Sequence, residues 1–215
     1  MSPDPDPTRR HLLRVGGLSL TLGALVAACS GEDDPTPAAE PRQTTTTEPE
    51  PAASGTALLN TALSLAVLTF ETYQVALDSG LVERREVADA FRLFQQHHGE
   101  HRGTLVATVE SEGQEPFDTG NPVAKVAVVN PALASVAAER DLVRLLRDLE
   151  HLGAQLAVHA ASALETPELR ATIMGIGAVA SRRAAYLDRL GDLGSEQLSV
   201  YPTSNPLPAD AIVPD

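Results

Sequence analysis

Four times between residues 56 and 192, apolar residues return every third or fourth position, the spacing of one face of an α-helix. The spacing predicts helix 1 over about 56–79, with Leu59, Leu63, Ala66, Phe70, Tyr73 and Leu77 on one stripe and a stop at Ser79-Gly80. Helix 2 is expected over about 83–111, striped by Val87, Phe91, Phe94, His98, His101, Leu105 and Thr108. Helix 3 is expected over about 134–164, with an arc of Leu142, Leu145, Leu146, Leu149, Leu152 and Leu156. Helix 4 opens on the cap Thr166 with Pro167 at its first position, and carries Leu169, Ile173, Ile176, Ala180, Arg183, Leu187 and Leu190. The first and last connections are short, so each joins an antiparallel hairpin. The middle one, about 112–133, is long and holds Pro116, Pro122 and Pro131, which makes helices 2 and 3 parallel. The fold class is therefore all-α, a four-helix bundle. Aromatic residues are 3% of the chain and Trp is absent, so its core must come from Leu, Val, Ala and Ile.

The ends of the chain are of another kind. Residues 1–28 read as a signal peptide: the twin arginines Arg9 and Arg10 precede an apolar run from Val15 to Ala28, shorter than the roughly 20 residues of a membrane span. The run closes Val26-Ala27-Ala28-Cys29, which resembles the lipobox of bacterial lipoproteins, whose cysteine is acylated after cleavage before it. That resemblance implies lipid on Cys29 and anchorage to the outer face of the cytoplasmic membrane, with Arg9 and Arg10 pointing to twin-arginine export. Residues 29–55 then form a Pro/Thr/Glu-rich linker with too little apolar surface to offset its ordering entropy, a disordered stalk. The segment 193–215, with Pro202, Pro206, Pro208 and Pro214, is expected as an extended tail. A net charge of −13 with Lys125 as the only lysine argues against nucleic acid as a partner. The single cysteine excludes an internal disulfide or a multi-cysteine zinc site. No nucleophile motif of a hydrolase is present.

Within the bundle, the polar residues that face inward are the informative ones. His98 and His101 stand at i and i+3 on the apolar stripe of helix 2. Glu150 lies at the edge of the apolar arc of helix 3. Arg183 lies on the apolar stripe of helix 4, where a guanidinium needs an anion or an escape to water. By the same spacing, Glu71 falls on a polar stripe of helix 1 with Asn60, Ser64, Gln74 and Asp78, and His151 on a polar face with Arg144, Arg147 and Gln155. These stripes are expected to face water.

Three segments, Tyr73–Leu81 (YQVALDSGL), Phe94–His101 (FQQHHGEH) and Leu149-Glu150, resemble the exported ferritin-like domain proteins of actinobacteria. The resemblance covers about 56–192 and implies a ferritin-like bundle. Ferritin-like di-metal centres take a Glu from each of two helices and Glu-x-x-His from each of the other two. Laid on this chain, that pattern falls on Ala66, on His98 and His101, on Glu150, and on Ala180 and Arg183. Two of these are alanines and one is a cation, so no metal cofactor is expected, and the implied role is structural or interactive rather than enzymatic. The alternative is a mononuclear iron or zinc site on His98, His101 and Glu150. In the metal-free reading Arg183 takes the place of the metal and pairs with Glu150, with His101 nearby.

Overall fold

The computed structural model describes residues 53–193 and 206–213. Arg9, Arg10, Cys29 and nearly all of the stalk lie outside the described residues, as do residues 194–205 of the tail. Every regular element among the described residues is helical: α1 (Gly55–Asp78), α2 (Arg85–Ser111), α3 (Pro122–Ala124), a π-helical turn (Lys125–Val129), α4 (Asn130–Ser135), α5 (Glu139–Ala163), α6 (Pro167–Gly191) and a 3-10 turn (Ala209–Ala211). None of these helices is long and apolar enough to cross a membrane.

Local chemistry sets the helix ends. Ser54 Oγ accepts from the Ala57 amide at 3.0 Å, and Thr166 Oγ1 accepts from the Leu169 amide at 3.2 Å with Pro167 behind it. Helix α1 stops where Gly80 takes φ +75°. The expected third long helix starts later than the periodicity suggests, at Glu139 rather than 134. Asp141 Oδ2 accepts from the amides of Ala137 and Ala138, both at 3.1 Å, and this backward reach opens α5. Residues 134 and 135 instead close α4, so the middle connection contains short helices of its own.

Helices α1, α2, α5 and α6 form the bundle. At the start of α2, the amides of Glu83 and Arg84 both bond Glu139 Oε2 at 2.8 Å. Midway along, His98 lies 3.0 Å from Glu150. Contacts that advance together along both helices make α2 and α5 parallel. The connection must therefore return along the whole length of the bundle, which is the ferritin-like topology.

Its return path corrects the reading of α1. Asn60 and Ser64, expected on a solvated stripe, are buried. The Asn60 side chain donates to the Glu115 carbonyl at 3.1 Å and accepts from the Phe117 amide at 2.9 Å. Asn121 Nδ2 donates to Ser64 Oγ at 3.0 Å and to the Ala211 carbonyl at 2.9 Å. The tail is fastened likewise: the Val213 amide donates to Thr61 Oγ1 at 3.0 Å, and Leu207, Ala211 and Val213 are buried. The polar stripe of α1 is thus a row of docking points for the connection and the tail. Glu71, two turns beyond Ser64, is exposed. Arg147 is a second correction: it is buried and bonds Asp188 of α6 at 3.0 Å instead of facing water.

Apolar side chains fill two clusters. One gathers the N-terminal half of α1 with Leu105, Leu149, Leu156, Ile173 and the tail. The other gathers Tyr73, Phe91 and Phe94 with Leu142, Leu146, Leu187 and Leu190. His98, Glu150 and Arg183 occupy the levels of their helices between the two.

Candidate functional site

Each bundle helix sends one polar side chain to the centre: Tyr73 from α1, His98 from α2, Glu150 from α5 and Arg183 from α6. All four are buried, Glu150 at 1% exposure and Arg183 at 3%. They meet on a single atom. Glu150 Oε1 accepts from Tyr73 Oη at 2.8 Å and from Arg183 Nε at 2.8 Å, and lies 3.0 Å from His98 Nε2. One carboxylate oxygen therefore ties the four helices together.

Burial pushes the Glu150 carboxyl up. The charge and hydrogen bond of His98, and then those of Arg183, outweigh burial and bring it down to about 2, so the group is ionised at any ordinary pH. Tyr73 is moved the other way: burial first, then the Glu150 charge beside it, raise its hydroxyl well above 10 and keep it a donor. His101 is half-buried, with its ring centroid 5.9 Å from that of His98. Burial, then the positive charges of Arg183 and His98, hold it neutral down to about 4. It makes no hydrogen bond to Glu150.

Beside the carboxylate lies a cavity of about 30 Å³, bordered by Ala66, His98, His101, Glu150, Ala180 and Arg183 among others. All six positions are ones that helical spacing turns inward or to the core edge. The pairing of Tyr73 with Glu150 is what sequence reasoning missed. Tyr73 stands on the α1 stripe two turns beyond Ala66, but an aromatic on an apolar stripe reads as core packing. Its hydroxyl was the one available signal, since a buried tyrosine needs a polar partner. Several buried polar atoms around the cavity lack a hydrogen-bond partner: Glu150 Oε2, Arg183 Nη1 and Nη2, and Nδ1 of both His98 and His101.

A family model described as a ferritin-like domain matches residues 54–192, most of the chain. The chain belongs to the ferritin-like domain family. No curated protein and no solved structure matches it.

Ferritin-like bundles are built to carry two metal ions between carboxylates, and the donor set here does not fit that group. Ala66 and Ala180, buried on the cavity wall, offer no ligand atom. Among the described residues Glu150 is the one carboxylate at the centre, and its Oε1 is bonded by a guanidinium. A divalent ion on that oxygen would sit against Arg183 in a low-dielectric interior, where like charges repel strongly. A mononuclear site on His98, His101 and Glu150 meets the same obstacle, and the His98 nitrogen nearest the centre already faces Glu150. Among the described residues, no three His, Cys, Asp or Glu side chains are grouped to hold a metal ion.

Proposed function

We propose that this ferritin-like bundle carries its central positive charge on Arg183 instead of on metal ions, and serves a non-catalytic structural or interaction role. In this reading the domain is exported, through the twin arginines Arg9 and Arg10. It is held on the outer face of the cytoplasmic membrane by lipid on Cys29, as in the exported ferritin-like proteins of actinobacteria. The observation that carries the reading is the 2.8 Å bond from Arg183 Nε to Glu150 Oε1, at the position where a ligand and a metal would otherwise meet. The anchor rests on sequence: the arginine pair, an apolar run, small residues and the only cysteine occur in the order that lipoprotein export requires.

The test is metal analysis of the full chain purified without added metal and then exposed to ferrous iron in air. The expected result is no stoichiometric iron or zinc and no ferroxidase activity. Two irons per chain with an oxo-bridge absorption band would overturn the reading. One metal per chain, lost in His98→Ala, would replace it with the mononuclear alternative. For the anchor, intact-mass analysis of the membrane fraction should find a mature N-terminus at Cys29 bearing acyl chains. Unmodified Cys29 would remove that part.

A further inference from the structure

The bundle is open on one side. Helices α2 and α6 touch far less than the other neighbouring pairs. Between them runs a groove of about 1000 Å³, the upper end of the range for small-molecule sites. From Glu86 to His101 its α2 wall is about 22 Å long at 1.5 Å per residue. Ala90, Leu93, Phe94, Val179 and Tyr186 give it an apolar lining, and Leu93 is 49% exposed there.

The two ends differ in chemistry. At the Arg85 end the acids are already engaged: Asp89 pairs with Arg85 at 3.5 Å and Arg92 at 3.2 Å, and Glu86 accepts from Tyr186 Oη at 3.4 Å. At the other end, Glu100 accepts from Gln96 at 3.0 Å. Arg183 Nε is held by Glu150, but other nitrogens of that end are not engaged. Arg183 Nη1 and Nη2, His97 Nδ1 and His101 Nδ1 are buried without hydrogen-bond partners, and all three side chains line the groove. Arg182 is exposed beside them with no ion pair among the described residues. His101 and Arg183 also border the central cavity, so the donor-rich end of the groove backs directly onto the Glu150 cluster.

We propose that the α2–α6 groove is a binding site for a long-chain aliphatic monocarboxylate. The acyl chain lies along Ala90, Leu93, Phe94 and Tyr186, and the carboxylate is held where His97, Arg182 and Arg183 meet the groove. Unpartnered donors at one end of a long apolar trough complement a molecule with one acidic terminus and an apolar body. A planar guanidinium supplies paired N–H groups to a carboxylate. The groove shares His101 and Arg183 with the central cavity, but its test reads the binding of a fatty acid and not of a metal, so the two readings fail separately.

The test titrates the full chain with hexadecanoate and with hexadecan-1-ol, each displacing a fluorescent fatty acid below its micelle concentration. One hexadecanoate per chain is expected, with the alcohol roughly tenfold weaker because it lacks the charge-assisted bonds. Arg182→Gln should weaken the acid and leave the alcohol unchanged, while Leu93→Glu should weaken both by roughly tenfold or more. Both changes lie on exposed side chains and should leave the helical circular dichroism spectrum intact. Equal affinity for acid and alcohol, indifference to both substitutions, or no binding would overturn the proposal. A dimer dispersed by Leu93→Glu, with no hexadecanoate bound, would assign the groove to a second copy of the chain instead.

Discussion

At the scale of residues, Glu150 and His101 make the bundle sensitive to acid over two adjoining ranges. Glu150 titrates at about 2 in the folded chain against 4.5 unfolded, so its ionised form is favoured by folding. That contribution is complete above 4.5 and is lost as pH falls toward 2. His101 titrates at about 4 folded against 6.5 unfolded, so its neutral form is favoured; its contribution is complete above 6.5 and is lost as pH falls toward 4. In both ranges the unfolded chain binds more protons, and stability rises with pH. Urea midpoints should therefore begin to fall just below pH 6.5, and His101→Gln should flatten the curve between 6.5 and 4 while leaving the lower range intact. Tyr73→Phe removes one donor from a buried carboxylate and should cost about 1.5–3 kcal/mol by urea denaturation at pH 7. A loss within experimental error would mean that the Tyr73 bond contributes nothing. The inward placement of His98 and Arg183 was legible in the sequence because a 3.6-residue period fixes direction, whereas for Glu150 the period gave only the edge of the apolar arc. Of their convergence on one oxygen, the pairing of Arg183 with Glu150 was expected, but the arrival of His98 and Tyr73 on the same atom was not, since periodicity gives each helix's face but no relative height between helices.

At the scale of elements, the close approach of α5 and α6 rests on a glycine. A Cβ at Gly177 would stand 2.5 Å from Ala157 Cβ, whereas one at Gly175, half a turn away, would meet nothing within 4 Å. Replacing a mid-helix glycine by alanine ordinarily stabilises by about 0.5–1 kcal/mol. Gly175→Ala should do so. Gly177→Ala should lower stability by about 1–3 kcal/mol, because α5 or α6 must shift to admit the methyl group. Thermal midpoints that move in the same direction would refute this account of the α5–α6 contact. Four helices and their order could be read from the sequence, yet the start of α5 could not. Residues 134–138 continue the apolar spacing, and only the backward reach of Asp141 to Ala137 and Ala138 separates α4 from α5. The burial of Asn60 and Ser64 was equally hidden. Their partners, from Glu115 to Asn121, lie more than fifty residues away in sequence, and an isolated helix with such a stripe reads as solvated.

At the scale of the whole molecule, the last described segment closes the fold. Leu207 and Ala211 join the apolar cluster of α1, Val213 is buried with its amide on Thr61, and Asn121 ties the connection to α1 through Ser64 and to the tail through the Ala211 carbonyl. Ending the chain after residue 193 should expose that face and cost roughly 3–6 kcal/mol from Leu207 and Val213 alone. Differential scanning calorimetry would read this as a lower midpoint, and an unchanged midpoint would show the tail to be dispensable. Asn121→Ala should weaken the same corner from the inside, by roughly 2–4 kcal/mol. The four-way junction at Glu150 has a broader consequence. A bundle held together by metal shares its fate with its surroundings, since its stability rises and falls with the concentration of the free ion. Here the cation that faces Glu150 is encoded and translated with the helices it joins. It cannot be leached by a chelator, poached by a competitor or withheld by a starved medium, so this junction holds whatever the supply of free metal.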